Sequence, residues 1–321
     1  MDNHLIVTSS PHIHSHATTR NIMRDVLIAL LPATVASIVL FGFKAALMIC
    51  VCVVSAVMSE FFFNVITKKK QTVGDLSAVI TGLLLALNLS TKVELWQCVI
   101  GSVFAIVVVK CMFGGLGKNF ANPAISGRVF LIIAFGAVAG GAQTQFTEVV
   151  TSATSNELVT GATPLYVIEH GGELPSLLDM FIGNRGGAIG ETCAAALLVG
   201  LVYLLVRKII SWHIPVIYVA TVFVLSLIIK QDLTIALYEI LGGGLLLGAI
   251  FMATDYVTSP SGRTGKMIFA FGCGLITVLI RFWGSYPEGV SFAILFMNIL
   301  SPYIEQIHVI KPLGGIKDAK K

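Results

Sequence analysis

Runs of mostly apolar residues follow one another along almost the whole chain, and short segments rich in Gly, Pro or charge separate them. A helix of about 20 apolar residues crosses the roughly 30 Å hydrocarbon core of a bilayer. The pattern therefore predicts an all-α integral membrane protein with ten transmembrane helices and one long polar interval. The predicted spans cover residues 25–43, 45–66, 76–90, 95–113 and 124–142, and then 190–206, 212–229, 234–253, 267–283 and 288–304.

The ten spans divide into two sets of five, and an odd number of crossings inverts the second set relative to the first. Gly82-Leu83-Leu84-Leu85-Ala86-Leu87 in the third span resembles Gly244-Leu245-Leu246-Leu247-Gly248-Ala249 in the eighth. The third span is short and holds Asn88, and Gly242-Gly243-Gly244 interrupts the eighth. Interrupted helices at matching positions of inverted halves predict a site near the bilayer midplane. The alternative is that Gly and Leu recur in any membrane helix.

The distribution of Lys and Arg predicts the orientation. If the amino terminus is inside, 16 of the 21 Lys and Arg residues fall on the inner face, where cytoplasmic loops carry their excess. The expected regions are a cytoplasmic amino-terminal segment (1–24), a first five-helix repeat (25–142), an extracytoplasmic loop (143–189), a second, inverted five-helix repeat (190–304) and a cytoplasmic carboxy-terminal tail (305–321).

Composition agrees with a membrane protein. Hydrophobic residues make up 56% of the chain and charged residues 12%, whereas a soluble domain has about 25% charged residues. The first 20 residues lack the apolar core of a secretory signal, so we expect them to be retained. Six cysteines show no Cys-x-x-Cys spacing, which favours structural thiols over a metal site. Four histidines in the amino-terminal segment fit a solvated tail better than a metal site.

The central loop contains Val159-Thr160-Gly161-Ala162-Thr163-Pro164-Leu165. A hydroxyl at Thr163, next to a flexible Gly-Ala pair and before a Pro that stiffens the chain, is a candidate attachment point for a phosphate-bearing group. An ordinary Gly-Pro turn is the alternative. The charge count places Thr163 on the extracytoplasmic side.

A second candidate site follows the fourth span, on the predicted inner face. Residues Gly114 to Ala124 offer glycines for close backbone approach, the amides of Asn119 and Asn122, and the ring of Phe120. This set suits a flat heteroaromatic ring. Thr254 and Asp255 follow the eighth span on the same face and are expected to complete that pocket. The alternative is a connecting loop without a ligand.

A third candidate precedes the sixth span, where Gly186 to Thr192 includes Gly187 and Glu191. Small residues there permit close approach of a bulky group, and a helix start attracts phosphate through its free amides. Simple entry into a helix is the alternative. Charged residues in or beside apolar runs are candidates for an ion path or for helix-end groups; these are Glu60, Asp75, Glu239 and Arg281.

The chain carries no motif of an autonomous enzyme: we find no phosphate-binding glycine-rich loop, no zinc spacing and no nucleophile elbow. We assign no catalytic residue and no metal ligand. Basic residues lie where membrane topology puts them, so the sequence does not indicate nucleic-acid binding.

Together these motifs resemble one family over essentially the whole chain. The sequence resembles the RnfD subunits of the Rnf complexes, which are ion-translocating ferredoxin:NAD oxidoreductases, and is similar to the NqrB subunits of the sodium-translocating NADH:quinone oxidoreductases. The residues that carry the resemblance are Ser10 to Ile13, Ile22 to Ala33, Gly114 to Ala124, Thr160 to Thr163, Gly187 to Thr192 and Phe251 to Pro260.

The resemblance implies a membrane flavoprotein subunit in the inner membrane of a prokaryote. It implies FMN joined by a phosphoester to Thr163, although Thr160 stands where the family motif has Ser, and a non-covalent riboflavin near Asn119 and Asn122. A flavin transferase and the other Rnf subunits are the implied partners, and electron relay from ferredoxin to NAD drives export of Na⁺ or H⁺. A transporter or channel without a redox cofactor, and a structural anchor for other subunits, stay open as alternatives.

Overall fold

A computed structural model describes residues 18–136, 146–150, 158–170, 174–284 and 289–307. These residues form helices and one antiparallel hairpin of strands β1 (Phe146–Val150) and β2 (Leu158–Ala162). The helices are α1 (Thr19–Ile66), α2 (Ser77–Leu87), α3 (Leu95–Val103), α4 (Pro123–Phe135), α5 (Pro164–His170), α6 (Leu177–Ile182), α7 (Ala194–Val206), α8 (His213–Lys230), α9 (Leu233–Leu241), α10 (Leu245–Leu247), α11 (Arg263–Trp283) and α12 (Val290–Ile307).

Two helices continue as π-helix, in which each N–H bonds to the carbonyl five residues earlier. Phe104–Cys111 extends α3 and Gly248–Met252 extends α10. A 3-10 turn, Val73–Asp75, precedes α2. A residue with left-handed backbone angles precedes each of the buried helices α2 and α10. Leu76 lies before α2 with φ 67 and ψ 3, and Gly244 lies before α10 with φ 67 and ψ 9.

Helix α1 unites the first two predicted spans. It contains 48 residues and is interrupted at Gly42, where φ is 70 and ψ is −155. That conformation is open to glycine and strained for residues with a side chain, so the break falls where the sequence permits it. The helix begins at Thr19, six residues before the predicted span, because the Thr18 hydroxyl caps it by accepting from the N–H of Asn21 at 3.3 Å.

All ten predicted runs fall on helices or on halves of α1, but their lengths differ. In the described part of the chain, four helices are long and apolar enough to cross a membrane: α1, α8, α11 and α12. Leu233–Leu241 and Leu245–Met252, bent by 58°, make a fifth if counted as one span. Helix α2, with 11 residues, is only about 16 Å long. The chain is thus a multi-pass membrane protein, and the count of ten crossings stays a prediction.

The buried centre of the fold is α2. Ten of its 11 residues are buried, as expected of a helix that is apolar on every side. Glycine allows the close packing here, because a Cβ on Gly82 would lie 2.7 Å from the carbonyl oxygen of Cys52 in α1. Gly200 does the same for α7, where a Cβ would lie 2.4 Å from the carbonyl oxygen of Ala29.

The central interval is more structured than a long polar loop. It contains the hairpin, α5 and α6, and it packs on the membrane helices. Leu165 is buried against Gly242 and Gly243, and the Tyr238 hydroxyl donates to the carbonyl of Pro175 at 2.5 Å. The amino-terminal histidines and most of the carboxy-terminal tail lie outside the described residues.

Candidate functional site

One cleft gathers residues that are far apart in the chain. It encloses about 750 Å³ of space not filled by atoms, including the part open to solvent. We call it the asparagine cleft. Its polar wall comes from the two candidate segments of the inner face and from α2 and the π segment after α3, namely Asn119, Asn122, Thr254, Asp255, Ser77 and Lys110.

The two asparagines of the cleft have different surroundings. Asn122 caps α4: its Oδ1 accepts from the N–H of Ala124 at 3.0 Å, and its Nδ2 donates to the carbonyl of Met252 at 3.3 Å. Asn119 is only 7% exposed, yet its Oδ1 has no hydrogen-bond partner among the described residues. A buried amide oxygen without a donor is costly. The Asn119 oxygen is therefore placed to accept a hydrogen bond from a ligand. Asn122 instead joins the start of α4 to the end of the second π segment.

Thr254 and Asp255 line the cleft in the loop that follows the second π segment. The Thr254 hydroxyl donates to the carbonyl of Ile250 at 2.5 Å. The Asp255 carboxylate accepts from the N–H of Val257 at 3.4 Å and from the Thr258 hydroxyl at 3.2 Å. Burial raises the pKa of Asp255 above its ordinary value, and these two donors oppose that effect.

Phe120 is not part of the cleft wall. Its ring is exposed and packs on Phe113, with 4.8 Å between ring centroids. The sequence suggested Phe120 as a stacking face for a flat ring. Its direction differs because Asn119 and Ala121 on either side are the residues that turn into the bundle. Apolar contacts in the cleft come instead from Leu84 and Phe251.

Thr163 joins β2 to α5, and it is only 5% exposed. Its carbonyl oxygen accepts from the N–H of Val167 at 3.1 Å in the first turn of α5. Gly161 and Ala162, expected to be flexible, belong to β2. The hydroxyl thus occupies a defined junction, two residues before Leu165, which packs on the break between α9 and α10.

Gly187 and Glu191 are buried near this break. A Cβ on Gly187 would lie 2.7 Å from Glu191 Oε1, and one on Gly244 would lie 3.0 Å from Glu191 Oε2. The helix begins only at Ala194, so the glycine segment precedes the helix start. The N–H groups of Ile189 and Gly190 donate to the carbonyls of Leu89 and Leu87, at 3.0 and 2.7 Å. These two amides are therefore not available to a phosphate.

Three of the four charged candidates form buried ion pairs with residues of other segments. Glu60 pairs with Lys110, with 2.8 Å between Oε2 and Nζ, and Glu239 pairs with Arg281, with 2.8 Å between Oε2 and Nη1. Asp75 instead accepts from the N–H and the hydroxyl of Ser77, at 2.8 and 2.5 Å. Glu60 and Glu239 are thus held in ion pairs, whereas Asp75 bonds to the first residue of α2, as a helix-end group does.

Arg128 is a polar centre that sequence reasoning missed. It is buried in α4, and its Nη1 donates to Asn88 Oδ1 and to Ser291 Oγ, both at 3.0 Å. Asn88 in turn donates to the Met252 sulfur at 3.4 Å, which links the third and eighth predicted spans. The charge count treats Lys110 and Arg128 as inner-face topology charges. Their places inside apolar runs are the signal that identifies them as buried functional candidates.

Among the residues that the structure describes, no group of three His, Cys, Asp or Glu side chains is placed to hold a metal ion. The cysteines all carry free thiols.

Comparisons with known proteins agree on one family. The chain matches the NQR2, RnfD, RnfE family over residues 6–314. It is 46% identical over 322 residues, 99% of this chain and 98% of the relative, to the D subunit of the Na(+)-translocating ferredoxin:NAD(+) oxidoreductase complex of Acetobacterium woodii. It is 38% identical over 314 residues, 94% of this chain and 93% of the relative, to the D subunit of the proton-translocating ferredoxin:NAD(+) oxidoreductase complex of Clostridium ljungdahlii.

A third relative is the D subunit of the ion-translocating oxidoreductase complex of Stutzerimonas stutzeri, 37% identical over 322 residues and 89% of each chain. The names of these similar proteins specify sodium, proton and an unspecified ion. Similarity at this level therefore does not select the ion. The length and extent of these matches show that this chain belongs to the NQR2, RnfD, RnfE family.

Proposed function

We propose that this chain is the membrane flavoprotein subunit of an ion-translocating ferredoxin:NAD oxidoreductase complex. It would hold a covalent FMN at Thr163 and a non-covalent riboflavin in the asparagine cleft, and relay electrons that drive Na⁺ or H⁺ export. The observation that carries this proposal is the buried Oδ1 of Asn119, which has no hydrogen-bond partner among the described residues and lies in a cleft with apolar and amide lining. The names of the similar proteins supply the reaction.

The cleft residues suit a flavin ring in chemistry. The Asn119 oxygen can accept from a ring N–H, as an amide oxygen pairs with an imide group. Leu84 and Phe251 offer apolar contact to the ring faces. When bound, the flavin supplies the electron-transfer chemistry. The protein residues orient the ring, exclude water from it and set the charge around it.

Thr163 suits a phosphoester in chemistry and in position. It offers the hydroxyl that accepts the phosphoryl group, and Pro164 and the first turn of α5 fix its backbone. Leu165 anchors the segment on Gly243, whose carbonyl oxygen accepts from Arg281 at 3.3 Å.

We further propose ten crossings in two inverted five-helix repeats, both termini in the cytoplasm, and the Thr163 segment on the extracytoplasmic side. Support comes from two features that recur in each half. A residue with left-handed backbone angles precedes a buried helix in each half, Leu76 before α2 and Gly244 before α10. A buried cation near a helix end also donates a hydrogen bond next to each of these positions, Lys110 to the Ser77 hydroxyl and Arg281 to the Gly242 carbonyl.

The other subunits of the complex are the proposed partners, and a flavin transferase is the proposed modifying enzyme. The ion is Na⁺ or H⁺. Buried Glu60 and Glu239 are candidates for its path, because charged groups at membrane depth often lie on ion routes.

Substitution of Thr163 tests the covalent flavin. The chain is co-produced with a flavin transferase and examined by in-gel fluorescence under denaturing conditions, with mass mapping of the modified peptide. Thr163→Ser keeps the hydroxyl and should keep the fluorescent band. Thr163→Val keeps the buried shape but has no hydroxyl, and it should abolish the band while leaving the thermal unfolding midpoint nearly unchanged.

Two outcomes would contradict the proposal. A non-fluorescent wild-type chain under these conditions would favour a transporter without a redox cofactor. The broken helix α9–α10 resembles the interrupted helices of such transporters. Normal electron transfer by the complex that contains Thr163→Val would favour a structural anchor.

A further inference from the structure

Both π-helical segments in the described part of the chain border the asparagine cleft. The segment Phe104–Cys111 places Lys110, its second-last residue, on the cleft wall, and the segment Gly248–Met252 contributes Ile250 and Phe251. π-helical turns are rare and occur frequently at functional sites, because the extra residue changes where the next side chains point. The backbone of α3 is thus altered at the point where it presents Lys110.

Lys110 is held at the wall by two acceptors. Its Nζ donates to Glu60 Oε2 at 2.8 Å and to Ser77 Oγ at 2.6 Å, and Ser77 in turn donates to Asp75 at 2.5 Å. An ammonium group has three N–H donors, so one has no acceptor among the described residues. Lys110 is 2% exposed, so this remaining donor is of use only to something inside the cleft.

The ion pair presents its positive end to the cleft. Lys110 and Ser77 line the cleft, whereas Glu60 does not. Glu60 is held from behind by the Thr72 hydroxyl, which donates to its Oε1 at 2.5 Å. The other charged group on the wall, Asp255, already accepts from Val257 and Thr258. A buried ion pair is in itself weak support for stability, because desolvation offsets its attraction.

We propose that Lys110 is a ligand-binding residue of the asparagine cleft. Its ammonium group sets the redox potential of the bound flavin by stabilising the negative charge that the ring gains on reduction, and Glu60 moderates this effect. A positive charge near the ring favours the reduced form, and a carboxylate disfavours it. The inference rests on the proposed flavin in this cleft and adds the residue that tunes it.

The test uses the full-length chain in detergent on a Thr163→Val background, so that only non-covalent flavin remains. Flavin content is measured after extraction, and the midpoint potential is measured by spectroscopic redox titration. Lys110→Met should lower the potential so that the ratio of reduced to oxidised flavin falls at least tenfold, about 30 mV for a two-electron couple. Lys110→Arg should restore most of the shift.

Glu60→Gln should move the potential in the opposite direction, because it removes a negative charge and leaves Lys110 in place. The pair Glu60→Gln and Glu60→Gln/Lys110→Met differs only at Lys110 and leaves no unpaired buried carboxylate, so it isolates the effect of the ammonium even if Lys110→Met alone unfolds. Lys118→Met is the matched control, because Lys118 is an exposed lysine near the same cleft, and it should leave flavin content and potential unchanged.

Unchanged flavin content and potential in Glu60→Gln/Lys110→Met relative to Glu60→Gln would overturn this inference while the proposed function stood. Absence of non-covalent flavin from the chain with Lys110 intact would overturn the proposed flavin in the cleft, and the role of Lys110 with it.

Discussion

Two regions of this protein are built on the same plan and end in different surroundings. Lys110 pairs with Glu60, and Arg281 pairs with Glu239, each with 2.8 Å between charged atoms in a buried setting. Each cation lies in the last turn of its helix and bonds beside a break: Lys110 to Ser77 after Leu76, and Arg281 to the carbonyls of Gly242 and Gly243 before Gly244.

The difference lies in what covers each pair. Lys110 faces an open cleft, whereas the Arg281 region is closed by Leu165, which packs on the glycines of the break. The two ion pairs thus have different roles in the proposed flavoprotein. The Lys110 pair leaves room for a diffusible ligand, and the Arg281 pair lies under the segment that follows the proposed flavin attachment residue.

Loss of Arg281 should have the largest effect. Arg281→Met leaves the Glu239 carboxylate buried without its cation, and removing one partner of a buried pair costs about 3–5 kcal/mol. Arg263→Met is the matched control, because Arg263 is exposed at the other end of α11 and should have little effect. Thermal unfolding midpoints in detergent measure both. Equal midpoints for the two variants would show that the pair does not stabilise the fold.

Gly243→Ala should be the next most damaging change. Gly243 has φ +63, and a Cβ there would lie 2.4 Å from Leu165 Cδ1 and 2.7 Å from Arg281 Nη2. Overpacking and a left-handed alanine together should cost roughly 2–4 kcal/mol.

Gly115→Ala is its control, since Gly115 has φ +93 and nothing within 4 Å of its added Cβ. It should cost only the backbone contribution, about 1–2 kcal/mol. If both variants unfold at the same temperature, Leu165 does not seal the break.

The two asparagines of the cleft should separate stability from binding. Asn122→Ala removes the cap of α4 and the bond to Met252, and loss of a cap costs about 1–2 kcal/mol. Asn119→Ala removes an oxygen that has no partner among the described residues, so it should not lower the unfolding midpoint of the flavin-free chain. It should instead reduce non-covalent flavin in extracts of the purified chain. Destabilisation by Asn119→Ala without flavin loss would contradict this division.

The smallest expected effect tests why one break uses Leu76 and the other Gly244. Leu76→Gly relieves the strain of left-handed backbone angles at this position but loses the burial of the leucine side chain. These two effects oppose each other, so the unfolding midpoint should stay near that of the wild type. Leu76→Ala loses the side chain and keeps the strain, so it should be less stable than Leu76→Gly by about 1 kcal/mol. In most helix positions alanine is more stabilising than glycine. If Leu76→Ala were more stable than Leu76→Gly, the backbone at Leu76 would not be strained.

Much of this arrangement could be predicted from the sequence. Apolar runs located the helices, because hydrophobicity is a local property of the chain. The expectation that Thr254 and Asp255 lie with Asn119 and Asn122 rested on placing both segments on one membrane face, and the structure puts all four on one cleft. Their flavin-binding role stays a prediction.

The remainder depended on contacts between distant segments. Lys110 and Arg128 resemble topology charges in the sequence, and only their packing shows that they bond to other helices. The cap made by Asn122 and the outward direction of Phe120 depend on backbone angles in a loop with glycines at positive φ. Helix lengths also differ from the apolar runs, because apolar residues continue through breaks such as those at Leu76 and Gly244.

Each π-helical segment accommodates one residue more than ordinary winding would. An α-helix advances by about 100° per residue, so an extra residue would rotate everything after it by about a quarter turn if the wider winding of Phe104–Cys111 did not absorb it. Removing one residue from Leu95–Val103, where the winding is ordinary, should therefore turn Lys110 away from Ser77, although no chemical group at the site had changed. Deletions in this helix thus act on the direction of a charge, which substitutions at Lys110 cannot do.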